Sequence, residues 1–241
     1  ALLFLQIPIL IAGNSSSPAA KRLEKEFLKT LIPAAKTEDE IILHEADSIY
    51  TALNLTLAGL GEEVFELAYK GYHKLREEGV IERPGILTIA DFSKSSSEKR
   101  LYILDIENQK ILFNTLVAHG KKSGLRYATD FSNKPESNKS SLGFYVTMNT
   151  YYGDHGLALR LKGLEKGIND RAFDRAIVMH GSDYISSSFL RVQGYLGRSF
   201  GCPAIPMKET PGIINTIKNG SLMFIYHPTK VYLSKSEILN S

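Results

Sequence analysis

Gly197-Arg198-Ser199-Phe200-Gly201-Cys202-Pro203, with Ala176-Ile177-Val178-Met179-His180-Gly181 upstream, carries the reading of this chain. Cys202 is the only cysteine, so it forms no intramolecular disulfide and supplies no thiolate-rich metal site. Gly201 permits a strained turn or a close backbone approach, and Pro203 suits the first turn of a helix. Together they predict a cysteine presented at a helix N-terminus, where free N–H groups and the helix dipole favour the thiolate. The apolar run before His180 predicts a buried strand that the histidine closes, holding its imidazole beside the sulfur as a base. The same residues also fit a small buried thiol and a packed histidine. A single Cys/His pair does not decide between the two.

Outward from this pair, the period of the apolar residues divides the chain. Ser17-Pro18 offers an N-cap and an N1 proline before Ala20, Leu23, Phe27 and Leu31 at helical spacing. A second helix is predicted from Thr37, with Glu40 completing a capping box and Ile42, Ala46, Ile49 and Leu53 on one face. A third runs from Glu62 to Glu78 with Phe65, Ala68, Tyr72 and Leu75 inward, and Gly79 stops it.

From Gly85 the period becomes two. Strands are predicted over 86–92, 143–152, 157–165, 176–180 and 221–226, and a hairpin joins 101–106 to 111–119. The polar stretch 132–141 reads as a mobile loop, 203–218 as a segment with a short helix, and the polar tail after His227-Pro228 as frayed. Strands that are neighbours in sequence favour antiparallel pairing. The fold class is α+β, with N-terminal helices packed on a β-rich, mostly antiparallel domain. The domains expected are 14–84 helical, 85–228 catalytic and 229–241 a polar tail.

Residues 1–13 form an apolar run too short to span a bilayer, and read as a signal-peptide remnant. An exported chain with one cysteine carries a free thiol that calls for an explanation, and catalysis supplies one. A net charge of +3 on 241 residues is too small to argue for nucleic acid. His119, His155, His180 and Cys202 lack the close paired spacing of a zinc site, so no metal or other cofactor is expected. The carboxylates show no glycosidase pairing, and no Gly-x-Ser-x-Gly elbow is present. His44 and His73 read as surface or structural residues.

His180-Gly181 followed by Ser199-Phe200-Gly201-Cys202 resembles the signature of L,D-transpeptidase (YkuD-type) catalytic domains. The likeness extends through Tyr151-Tyr152-Gly153-Asp154-His155-Gly156-Leu157, the run from Leu159 to Glu165, and Gly167-Ile168-Asn169-Asp170. These resemble the murein L,D-transpeptidase catalytic domain branch, and the likeness covers roughly residues 45 to 228. It implies an L,D-transpeptidase-like fold and a Cys202 nucleophile acylated by a peptidoglycan tetrapeptide stem, with release of D-alanine. His180 would be the base, and an amine or water would resolve the thioester. Backbone N–H groups of Gly201 and Cys202 would hold the oxyanion, with Ser199 orienting the turn or the imidazole and Gly181 keeping the path beside His180 open. Arg198 and His155 would line the substrate cleft.

The resemblance further implies export to the periplasm or cell envelope of a bacterium, with envelope proteins as further acyl acceptors. Better-known relatives carry an arginine two residues after the cysteine, where this chain has Ala204. That departure keeps two alternatives in view: a non-catalytic peptidoglycan-binding scaffold, and a carboxypeptidase or hydrolase that detaches stem-linked proteins.

Overall fold

A computed structural model of the chain describes Arg22, 37–154 and 156–240. The apolar run 1–13, the helix expected after Pro18 and the side chain of His155 lie outside these residues. Asp39–Ser241 form one compact unit. Its helices begin with α1 (Glu38–Ala52), α2 (Leu55–Ala58) and α3 (Glu62–Glu77). The expected periodicity is present: Ile42 and Ala46 of α1, and Phe65, Ala68, Tyr72 and Leu75 of α3, are buried. Acidic residues start α3 and basic residues end it, which suits the helix dipole. These helices share a compact unit with the sheet.

The sheet has eight strands: β1 (Ile86–Asp91), β2 (Leu101–Asp105), β3 (Lys110–Thr115), β4 (Gly143–Gly153), β5 (Gly156–Gly163), β6 (Val178–Ser182), β7 (Ala204–Pro206) and β8 (Leu222–Tyr226). Their order is β3-β2-β1-β8-β4-β5-β6-β7. Pairing is antiparallel except for β1 with β8 and β6 with β7, which are parallel. β8, Leu-Met-Phe-Ile-Tyr, is buried throughout and sits between β1 and β4, where an uninterrupted apolar strand is covered on both faces.

Four expectations are corrected. The strand predicted over 111–119 ends at Thr115; beyond it Ala118 bridges Ala204 and Gly120 bridges Ser199. One continuous segment therefore links β3, at one sheet edge, to β7 at the other. The helix predicted directly after Cys202 is instead β7, because buried Ala204 and Ile205 find ladder partners in β6 and Ala118. The helix is delayed to α5 (Thr210–Ile217), after α4 (Ser187–Gln193).

The polar loop 132–141 is pinned: Arg175 donates to the carbonyls of Ser132 and Lys139 and to the hydroxyls of Ser137 and Ser141. The tail forms α6 (Lys230–Lys235) and α7 (Glu237–Asn240), burying Tyr232, Ile238 and Leu239. The buried carboxylate of Glu165 anchors it, accepting from the Phe144 N–H, the Tyr232 hydroxyl and the Ser236 hydroxyl.

Candidate active site

The register between β6 and β7 builds the site. His180 is level with Ala204, Gly181 with Ile205 and Ser182 with Pro206. Two residues before Ala204, Cys202 falls level with Val178, and its sulfur confirms the position. Sγ accepts from the Val178 N–H at 3.5 Å and donates to the Ala176 carbonyl at 3.8 Å. Val178 and His180 share one face of β6, because side chains alternate along a strand. The thiol therefore lodges at the entrance of the strand that carries the imidazole further along the same face.

His180 stands in the middle of β6, which continues to Ser182, rather than closing it. It is buried, and its Nδ1 lies 3.1 Å from the Gly181 carbonyl. A carbonyl only accepts, so Nδ1 bears the proton, and in the neutral ring Nε2 carries the lone pair. Gly181 lies against α5. A Cβ there would come within 2.3 Å of Thr210 Oγ1 and 3.0 Å of Met207 Sδ, so the glycine lets α5 pack against β6.

The turn before Cys202 is held by Ser199, whose hydroxyl donates to the Cys202 carbonyl at 2.6 Å and accepts from the Gly201 N–H at 3.1 Å. The Gly201 N–H is committed to that hydroxyl, and among the described residues the Cys202 N–H has no acceptor. Gly201 has φ +129°, and a Cβ there would stand 2.8 Å from the Lys139 carbonyl. Only glycine suits that position.

A second strand of chain supports the turn from behind. The Ser199 N–H donates to the His119 carbonyl, and the Lys121 N–H to the Ser199 carbonyl. Below it lies Arg100, fully buried, which donates to the Val117 and Lys94 carbonyls and approaches His119 Nδ1 at 2.8 Å. Burial, then the nearby guanidinium, lowers the His119 pKa to about 4. A neutral ring that accepts from Arg100 at Nδ1 donates from Nε2 to the Gly124 carbonyl. His119 is thus a support of the turn and does not converge on Cys202.

Arg198 also supports this region. Its Nη1 donates to the Lys121 and Gly124 carbonyls, and its guanidinium lies over the Tyr195 ring. These bonds tie it to the Lys121–Gly124 segment. Burial pushes the Cys202 thiol up from its ordinary value, opposed by the Val178 N–H and the charge of Arg175. This is the reverse of the helix-terminus expectation, since no helix begins here. Two neighbours were missed in the sequence, Arg175 and Tyr184. The signal for the first is an arginine abutting the apolar run of a strand; for the second there was none. The Tyr184 phenol is raised by burial, then lowered by a hydrogen bond from Ser182 and raised by Cys202.

Beyond the ends of β6 and β7 lies an open cleft of about 630 Å³, lined among others by Lys99, Ser182, Asp183, Ser186, Met207 and Glu209. Neither Cys202 nor His180 lines it. Among the described residues no three His, Cys, Asp or Glu side chains are grouped to hold a metal ion.

This architecture is that of an L,D-transpeptidase catalytic domain, and the profile of that family matches residues 57–226. The chain belongs to the L,D-transpeptidase catalytic domain family. Among solved structures it is similar to an L,D-transpeptidase from Mycobacterium smegmatis, at 12% identity and TM-score 0.36, covering 59% of each chain. It is similar also to Mycobacterium tuberculosis L,D-transpeptidase 1, at 11% identity and TM-score 0.34, covering 59% of this chain and 62% of that one. A third is the helical cell shape determining protein Pgp2 from Campylobacter jejuni, at 13% identity and TM-score 0.40, covering 66% of this chain and 54% of that one. The chain thus spans less than two thirds of the length of these structures. Comparison with curated proteins gave no match.

Proposed function

We propose that this chain is a cysteine-dependent peptidoglycan L,D-transpeptidase of the bacterial envelope, exported to act there. The observation that carries the reading is the placement of the sole thiol. Its sulfur rests 3.5 Å from the Val178 N–H, at the entrance of the strand that carries His180 on the same face. In the first step the Cys202 sulfur attacks the carbonyl at the diaminopimelate centre of a tetrapeptide stem, and His180 takes the thiol proton. That proton passes to the departing amine of D-alanine, leaving a thioester. The Cys202 N–H is the donor for the oxyanion, because that of Gly201 already serves Ser199. An acceptor amine of a second stem, deprotonated by His180, then forms the crosslink. Water in its place gives an L,D-carboxypeptidase, and an envelope-protein amine gives a tethered protein.

A second reading has one observation in its favour: burial raises the Cys202 thiol pKa, which suits a scaffold that binds stems without reacting. One experiment separates the two. Tetrapeptide muropeptides are incubated with wild type, Cys202→Ala and His180→Ala, and products are read by mass spectrometry. Loss of D-alanine with wild type alone supports the enzyme. Turnover by Cys202→Ala, or bound but unaltered stems with wild type, overturns it. Intact-mass analysis after meropenem treatment should show an adduct on wild type and none on Cys202→Ala.

A further inference from the structure

Arg175 carries a charge that no carboxylate neutralises. Among the described residues it enters none of the ion pairs. Its hydrogen bonds go to neutral oxygens: Nη1 to the Ser132 carbonyl at 2.8 Å and Ser141 Oγ at 3.3 Å, Nη2 to Ser137 Oγ at 3.3 Å and the Lys139 carbonyl at 2.6 Å. These bonds occupy both Nη groups and leave its net charge in place. A partly buried cation without a counter-charge is costly.

Two acids interact electrostatically with the guanidinium, the Tyr145 phenol and the Cys202 thiol. Tyr145 is fully buried, its hydroxyl is bonded to Ser141, and burial pushes its pKa further up. It does not ionise near neutral pH. That leaves the thiol. The geometry agrees, since Nη2 lies 3.4 Å from where a Cβ on Gly201 would stand. The Cys202 sulfur also rests on the backbone directly after Arg175, at Ala176 and Val178.

We infer that Arg175 is the counter-ion of the Cys202 thiolate, a positioning residue that fixes the 132–141 loop beside the nucleophile and supplies the positive charge the sulfur anion needs. The inference rests on the reading of Cys202 as nucleophile and adds to it the source of the anion's stabilisation. The ionisable groups that interact with the sulfur are Arg175 before β6 and Tyr184 after it, while His180 lies two residues along β6 from Val178. Of these only Arg175 carries a fixed positive charge.

The test is the rate of alkylation by iodoacetamide against pH, which reports one sulfur because the chain has one cysteine. Loss of an adjacent cation raises a thiol pKa by about one unit. Arg175→Gln should therefore react about tenfold more slowly at any pH below both midpoints. Arg175→Lys keeps the charge and should stay within about threefold of wild type. Ser137→Ala removes one loop bond and no charge and should leave the profile in place, whereas a merely structural role for Arg175 would shift it.

If folded Arg175→Gln follows the wild-type profile, Arg175 only pins the loop and the inference falls. Should Arg175→Gln fail to fold, wild type decides by comparing iodoacetate with iodoacetamide. A cation beside the sulfur favours the anionic reagent, and 1 M KCl should erase the advantage. Absence of that preference overturns the inference. Muropeptide turnover by Cys202→Ala stands apart from these readings, since it would refute the nucleophile while the alkylation profiles still judge Arg175.

Discussion

Gly181→Ala tests how the site is built, because the substitution adds one methyl group to the strand that carries His180. The new Cβ would lie 2.3 Å from Thr210 Oγ1, 3.1 Å from Thr210 Cβ and 3.0 Å from Met207 Sδ. Ordinary contact begins near about 3.5 Å, so Thr210 would have to retreat by about 1 Å. Met207 is partly exposed and can swing away. Thr210 is buried in the first turn of α5, with its hydroxyl bonded to the Pro206 carbonyl at 3.0 Å. The strain therefore falls on α5 or on β6. Overpacking of this kind costs about 1–3 kcal/mol, a fall in Tm of about 2–10 °C for a chain of this size.

Movement of β6 also moves His180, whose Nδ1 is tied to the Gly181 carbonyl. A displacement of about 1 Å at a catalytic base can cost about a hundredfold in rate. Thr210→Ala alone should cost about 1 kcal/mol for its lost hydrogen bond. Combined with Gly181→Ala it removes the clashing oxygen, so the double variant should be at least about 1 kcal/mol more stable than additivity allows. Thermal unfolding by circular dichroism gives the cycle, and stem acylation gives the activity. A Gly181→Ala protein that melts within about 1 °C of wild type, or a cycle that closes additively, refutes this account.

The His119 imidazole, neutral with its pKa lowered to about 4 against an ordinary 6.5, stabilises the fold above pH 6.5, and this is lost as pH falls toward 4. The span is about 3 kcal/mol, so denaturant midpoints of His119→Gln should vary less than wild type across that window; parallel profiles would refute the assignment. Glu165 has its pKa raised by burial, so its charged form weighs on the fold increasingly as pH rises above 4.5. The urea midpoint of Glu165→Gln should gain on wild type between pH 4.5 and 7.5, and a shrinking gap counts against it. Truncation after Pro228 strips buried Tyr232, Ile238 and Leu239 and two of the hydroxyl donors to Glu165. It should cost at least about 4 kcal/mol by the area of those side chains, whereas an unchanged Tm would mean the tail packs on nothing.

What was legible in the sequence was whatever one element can encode by itself. The 3.6 period of Phe65, Ala68, Tyr72 and Leu75 set α3, and the unbroken apolar run Leu222–Tyr226 set β8. The position of β8 beside β1 and parallel to it was not legible, because a pairing partner far along the chain leaves no local mark. β7 was misread for the same reason. Pro203 fits a helix start in isolation, but three residues paired with β6, one of them also bridged to Ala118, outweigh that preference. In the tail, Tyr232, Ile238 and Leu239 were hidden among lysines and serines, so composition pointed to solvent while packing made two short helices. Arg198 was read from its place in the motif, and the carbonyls of Lys121 and Gly124 that hold it come from a segment the motif does not contain.

Placing Cys202 at a strand entrance changes what can activate it. A helix N-terminus offers about 0.3–1 kcal/mol, less than one pKa unit, and no helix begins at Cys202 to supply it. With burial dominant, the resting thiol titrates above its ordinary value of 9.0, and the thiolate is the minor form at neutral pH. His180 then has to take the proton during attack, as a general base, instead of holding a preformed ion pair. The two regimes have different pH profiles. Alkylation by a neutral reagent, which needs the free thiolate, should keep rising through pH 9. Acylation by a stem, where His180 removes the proton as the bond forms, should not track that rise. An alkylation plateau below pH 8 would mean a preformed thiolate, and the burial argument for Cys202 would then be wrong.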